Sequence, residues 1–133
     1  MQADGRAEAF RVKAEESLAS ATSEFANRRY NSCANRCYYA CFQAAIVALL
    51  RERIQPPRSD QRWGHAFVQA QFAGQLIIRR KLYPSSLRDV LPRLLALRQH
   101  ADYELDPVGR VQAGRALGRT REFVEAIIDR GDT

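Results

Sequence analysis

The segment from Cys37 to Leu50 constrains this chain more than any other. Its fourteen consecutive residues, CYYACFQAAIVALL, hold a single polar side chain, Gln43. A run of that length is too short to cross a bilayer and reads as a buried core helix. A helix that is apolar nearly all round must be covered on more than one side. In a chain of 133 residues this places it at the centre of a helical bundle, with a second copy of the chain expected to cover the rest.

One domain is expected over residues 1–133, with its core at about 7–128, because a chain of this size builds one adequate core. Cys33, Cys37 and Cys41 recur every four residues, along one face of one helix. Such a stripe cannot bring its own cysteines into disulfide geometry, so they read as small buried thiols in a reducing cytoplasm. No metal site is expected, because His65 and His100 are far from them in sequence. The amino terminus is polar and charged, so neither a signal peptide nor a membrane anchor is expected, and no cofactor is implied. The net charge of +6 favours an anionic partner, RNA or an acidic protein. The basic residues are scattered and almost all arginine, a composition that a GC-rich genome also produces.

Neither strand alternation nor a hairpin signal occurs, and helical periodicity dominates. Helices are predicted over 7–26, from about 31 to 53, over 63–80, from about 84 to 103, and from 107 to the carboxyl end. Asn31 or Ser32 is the expected cap of the second. Pro56 and Pro57, at the head of the stretch running through Arg58, Ser59 and Asp60, stop it. Ser86 with Asp89 resembles a capping box, and Pro92 is expected to kink or restart the fourth helix. Asp106-Pro107 reads as an N-cap followed by proline at the first helical position. The fold class is all-α, an antiparallel up-and-down four-helix bundle with a short additional helix.

On a wheel at about 100° per residue the second helix has three faces. Cys37, Cys41, Ala44 and Ala48 are small; Tyr38, Phe42, Ala45 and Leu49 are bulky. The third holds Arg36, Ala40, Gln43 and Val47, and its two polar members need partners. In the fourth helix Leu87, Leu91, Leu94 and Leu95 point inward, and the same stripe continues to Arg98 and Asp102, one turn apart. These residues form either a binding site or an ion-pair network that sets helix register. Arg93, His100 and Glu104 share an outward face, which is either solvated or able to bind phosphate and move a proton. His65, after Trp63-Gly64, reads as a capping or packing histidine.

Tyr30 followed by Asn35-Arg36-Cys37-Tyr38-Tyr39-Ala40-Cys41-Phe42-Gln43-Ala44-Ala45 resembles the second-helix signature of HEPN domains. More narrowly, Arg98-x-x-x-Asp102-Tyr103 is similar to the fourth-helix motif of small stand-alone HEPN proteins, and His65 also fits that subgroup. The resemblance implies a homodimer in the cytoplasm of a prokaryote. It also implies a minimal nucleotidyltransferase partner in a toxin–antitoxin-like pair, with RNA or nucleotide bound in an interhelical or dimer cleft. Many such proteins are metal-independent ribonucleases using Arg-x(4–6)-His. Here no histidine follows Arg98 at that spacing and Asp102-Tyr103 stands there instead, although Arg93-x6-His100 and Arg58-x6-His65 satisfy it formally. The expected catalytic residues are Arg98 and His100. Binding is expected from Arg36, Gln43, Arg93, Arg98, Asp102 and Tyr103. The alternative is a non-catalytic interaction or nucleotide-binding subunit that supports the transferase.

Overall fold

The computed structural model describes residues 2–57 and 62–131. Helix α1 spans Gln2–Ala26, α2 Tyr30–Arg51 and α3 His65–Gln71, which widens without a break into π-helical turns over Phe72–Arg79. A 3-10 turn at Ser85–Leu87 precedes α4, Val90–Tyr103, and α5 is Arg110–Gly131. No strand occurs among the described residues, and the chain is an all-α bundle. No helix is long and apolar enough to cross a membrane.

The centre is α2. Every residue from Ala44 to Leu50 is at most 2 % exposed. Helices α1, α4 and α5 and the α3 segment all pack against it, most extensively α1. That coverage comes from one chain, so the burial of α2 does not require the second copy that its composition suggested. Helix α1 approaches closely because its buried positions are all small, Ala7, Ala14 and Ala21 one heptad apart, with Ser17 between them. On the cysteine face lies α5. Its Thr120 hydroxyl donates to the Ala116 carbonyl (2.7 Å) beside the Cys37 and Cys41 thiols. Burial pushes the Cys41 thiol well above the usual range, which leaves it protonated and inert. The bulky face meets α3, and Phe72 of the π segment stacks near Phe123 of α5 at 5.0 Å.

Local signals placed several helix ends differently. Helix α2 begins after Arg29 with no side-chain cap; Asn31 instead accepts the Val108 N–H (2.8 Å) and ties down the entry to α5. Asp89 precedes α4 but turns its carboxylate to Arg93 (2.8 Å) rather than capping. Pro92 falls in the first turn of α4, where the amide it lacks has no helical partner anyway, and the expected restart is the break between the 3-10 turn and Val90. Helix α5 starts at Arg110, beyond Pro107. Gly109 takes the capping position, and the Gln112 side chain accepts its N–H (3.0 Å), half of a capping box. Arg58, Ser59 and Asp60 lie outside the described residues.

Three basic residues hold left-handed backbone at helix ends: Arg28 (φ 63°), Arg53 (φ 61°) and Lys81 (φ 55°). The first two close Schellman turns, with Arg29 N–H on Glu24 O (2.8 Å) and Ile54 N–H on Leu49 O (2.9 Å). Their cations suit the negative end of the helix dipole, yet a Cβ in this region costs about 1 kcal/mol or more. Arg53→Gly is expected to raise the melting temperature by a few degrees, from about 0.5–1 kcal/mol of relieved strain. Thermal unfolding checks this, and a lowered melting point refutes it.

Candidate functional site

The exposed margin of α2, the carboxyl-terminal half of α1 and the end of α4 enclose a polar cleft of about 380 Å³. Its walls include Ser20 and Glu24 from α1, Asn35 and Arg36 from α2, and Asp102 from α4. Arg36 is held by its neighbour Asn35, whose side-chain oxygen accepts from Nε (3.1 Å) and Nη2 (2.7 Å). Its guanidinium carbon lies 5.2 Å from the centre of the Tyr39 ring. Arg98 reaches the same ring from α4, at 5.3 Å. Two guanidinium groups thus share one aromatic ring, an attraction of the cation–π kind. They bring together two sequence-predicted residues that are 62 positions apart.

Arg98 and Asp102 form the predicted pair, Nε to Oδ2 at 3.4 Å, with side chains 18 % and 30 % exposed. That contact is an ion pair without hydrogen-bond geometry, and the buried Nε of Arg98 has no hydrogen-bond acceptor. The carboxylate neutralises the arginine without occupying its N–H groups, an arrangement suited to receiving an anion.

Other predicted residues lie elsewhere. Gln43 turns toward α1. With its amide nitrogen facing that helix, its two N–H groups have three acceptors in reach, the Lys13 carbonyl (3.0 Å), the Ser17 hydroxyl (2.8 Å) and the Tyr39 carbonyl (3.1 Å). It fastens α1 to α2; it does not line the Asn35–Asp102 cleft but lines the adjoining concavity along α1, which it shares with Arg36. Arg93 is 64 % exposed and paired to Asp89 at the far end of α4. Tyr103 is 76 % exposed. His100 is half-buried, and its side chain makes no hydrogen bond or ion pair among the described residues.

The other histidine, His65, does not line the cleft and packs on the bulky face of α2. Its Nδ1 lies 2.5 Å from the Tyr38 hydroxyl, and its ring is 5.2 Å from that of Phe42. Burial, with the charge of Arg98 added, holds its pKa below the ordinary histidine value. Burial also pushes the Tyr38 phenol up to about 12. Tyr38 is therefore the donor and His65 Nδ1 the acceptor, which assigns the imidazole proton to Nε2. His65 packs against Tyr38 and Phe42 at the start of α3, as the packing reading expected. Sequence reasoning missed Tyr39, whose one signal was its position three residues after Arg36, on the same helical face.

A depressed histidine pKa has a defined consequence for stability. The unfolded chain takes up the proton first, near 6.5, so stability is complete above that value. It is lost as pH falls from there toward the lower folded value. Melting temperature is expected to drop between pH 7.5 and 5.5, and to drop less in His65→Asn. Equal drops in both proteins refute the assignment.

Among the described residues no three His, Cys, Asp or Glu side chains converge as metal ligands. A family model described as HEPN domain matches residues 7–130. No curated protein matches the chain.

Proposed function

The chain belongs to the HEPN domain family, and from that premise we propose that it is a single-domain RNA- or nucleotide-binding protein. It acts as a homodimer in a prokaryotic toxin–antitoxin-like pair whose other member is a minimal nucleotidyltransferase. The observation that carries the binding reading is the convergence of Arg36 and Arg98 on Tyr39 beside a polar cleft. Guanidinium groups bind phosphate through paired N–H donors. The Tyr39 ring consumes none of those donors; Arg36 gives its Nε and one Nη2 N–H to Asn35, and its remaining Nη N–H groups are those left for a phosphate. Arg36, Arg98 and Asp102 are the binding residues of this reading, and Tyr103 stands at its rim.

A second reading, metal-independent RNA cleavage, is favoured by His65, which is held neutral within the electrostatic reach of Arg98. In that reaction the ribose 2′-hydroxyl attacks the adjacent phosphorus and the bond to the 5′-oxygen breaks, leaving a 2′,3′-cyclic phosphate. For His65 to accept the 2′-hydroxyl proton at Nε2, its own proton must move to Nδ1 and the Tyr38 hydroxyl must turn from donor to acceptor; the imidazolium then formed protonates the departing 5′-oxygen. Arg98 offsets the charge that gathers on the phosphoryl oxygens. His65, rather than His100, takes the proton-transfer role here.

Total RNA incubated with the protein in the presence of a chelator separates the two readings. Cleavage that disappears in Arg98→Ala and in His65→Asn, and persists in His100→Ala, is the expected result if the protein is a ribonuclease. Intact RNA together with a measurable gel shift returns the binding-only reading. Equal RNA loss from native protein and Arg98→Ala overturns the role of Arg98.

A further inference from the structure

The polar cleft does not end at Arg36. A second concavity, of about 640 Å³, continues along α1 past Lys13, Glu16, Ser17 and Ser23, and it shares Arg36 and Ser20 with the first. Lys13, Ser17, Ser20 and Glu24 follow one another at three or four residues, so they lie along one face of α1. That stripe is about 16 Å long at the rise of an α-helix, more than one nucleotide fills.

The charges along the groove are distributed unevenly. Glu24 is paired with Arg29 (3.2 Å) and Asp102 with Arg98 (3.4 Å). At the junction of the two clefts Arg36 faces only the neutral Asn35 oxygen and the Tyr39 ring, and no carboxylate pairs with it among the described residues. The junction thus presents one uncompensated positive charge. One phosphodiester carries one negative charge, whereas a terminal phosphate monoester carries nearly two. The remaining lining adds one cation and one anion, Lys13 and Glu16, whose charges offset each other, and the hydroxyls of Ser20, Ser23 and Ser32 with the amides of Asn35 and Gln43, a set suited to ribose hydroxyls and base edges rather than further phosphates. The groove is also fixed in advance, because Gln43 bonds both the backbone and Ser17 of α1.

We propose that the joined clefts bind a single strand of RNA, a dinucleotide or longer, with its linking phosphodiester on Arg36 and a nucleoside on each side. One nucleoside occupies the Asn35–Asp102 cleft and the next lies along α1 toward Lys13. This rests on the RNA- or nucleotide-binding reading and selects a strand over a free nucleotide.

Titration calorimetry with uridine 3′-monophosphate, the dinucleoside monophosphate UpU and a uridine tetranucleotide tests it. UpU is expected to bind at least about tenfold more tightly than the mononucleotide, with the tetranucleotide equal to UpU or tighter. Arg36→Gln is expected to remove most of that advantage. Lys13→Glu, at an exposed position that does not threaten folding, is expected to weaken the tetranucleotide several-fold and leave the mononucleotide unchanged. Equal affinity for mononucleotide and UpU, or UpU binding that neither substitution alters, overturns the extended groove and leaves nucleotide binding standing. Absence of binding by all three ligands overturns the functional reading itself.

Discussion

Phe123→Ala is expected to destabilise the protein by about 3–5 kcal/mol, the range for truncating a fully buried aromatic side chain. Phe123 is 0 % exposed and stacks near Phe72, where α5 meets the π-helical segment. The lost apolar contact adds to the free energy of a cavity that neighbouring helices cannot close, because the α2 side chains behind it are already close-packed. Against a typical total stability of about 5–15 kcal/mol this removes a large share. The melting temperature should fall by roughly 10 °C or more. Urea unfolding measures the same quantity through its midpoint, with the slope unchanged. A shift of only two or three degrees is incompatible with the packing described. Phe123→Leu, which refills most of the volume, should recover the greater part.

The second large effect concerns ligand affinity. The double variant Arg36→Gln, Arg98→Gln is expected to weaken RNA binding by about a hundredfold or more. Charge-assisted hydrogen bonds contribute about 1.5–3 kcal/mol each, and the lower end applies because both guanidinium groups are partly exposed. Two such losses near 1.5 kcal/mol make a factor of about a hundred. Stability responds far less. The Arg98–Asp102 pair retains solvent contact, so its removal costs about 1 kcal/mol after solvent screening, or a few degrees. The two readouts together separate a binding site from a structural ion pair. A variant that melts ten degrees lower yet binds RNA as tightly as before would make the pair architectural.

The helices were legible because their signals are periodic and repeated. The apolar stretch from Cys37 to Leu50, the leucine stripe of α4 and the Phe123-Val124-Ile127 face of α5 each restate one periodicity over several turns. The helix ends depend on single side chains that have more than one use. Asn31 was a plausible cap, yet the Val108 N–H claims it; Asp89 was a plausible cap, yet Arg93 does. The widening of α3 into π turns has no counterpart in the apolar pattern, because the same residues satisfy either winding.

The site divides in the same way. Arg98 with Asp102 could be read from one helix. The approach of Arg36 depends on how α2 and α4 pack, which the HEPN-like motifs supplied and periodicity alone did not. Gln43 lines the α1 concavity with Arg36 rather than the Asn35–Asp102 cleft, a distinction that a wheel misses because it groups residues by angle without saying which neighbour each angle faces. It shares a face with Arg36 and Val47, but along that face α1 covers its turn. The packing role of His65 was legible, but not its partner Tyr38, which lies 27 residues away across a connection with no pattern of its own.

The enclosure of α2 from Ala44 to Leu50 has a consequence for motion. A helix in contact with every other long helix cannot open by itself, so its amides should be among the slowest in the protein to exchange with solvent and should require opening of the whole bundle. Arg36 and Tyr39 stand on this rod, and their backbone is therefore held as firmly as the core itself. A ligand entering the groove must be accommodated by the Arg36 side chain, by the exposed face of α1 and by the last turn of α4. Added RNA should therefore slow exchange at the end of α4 and leave the central amides of α2 unchanged.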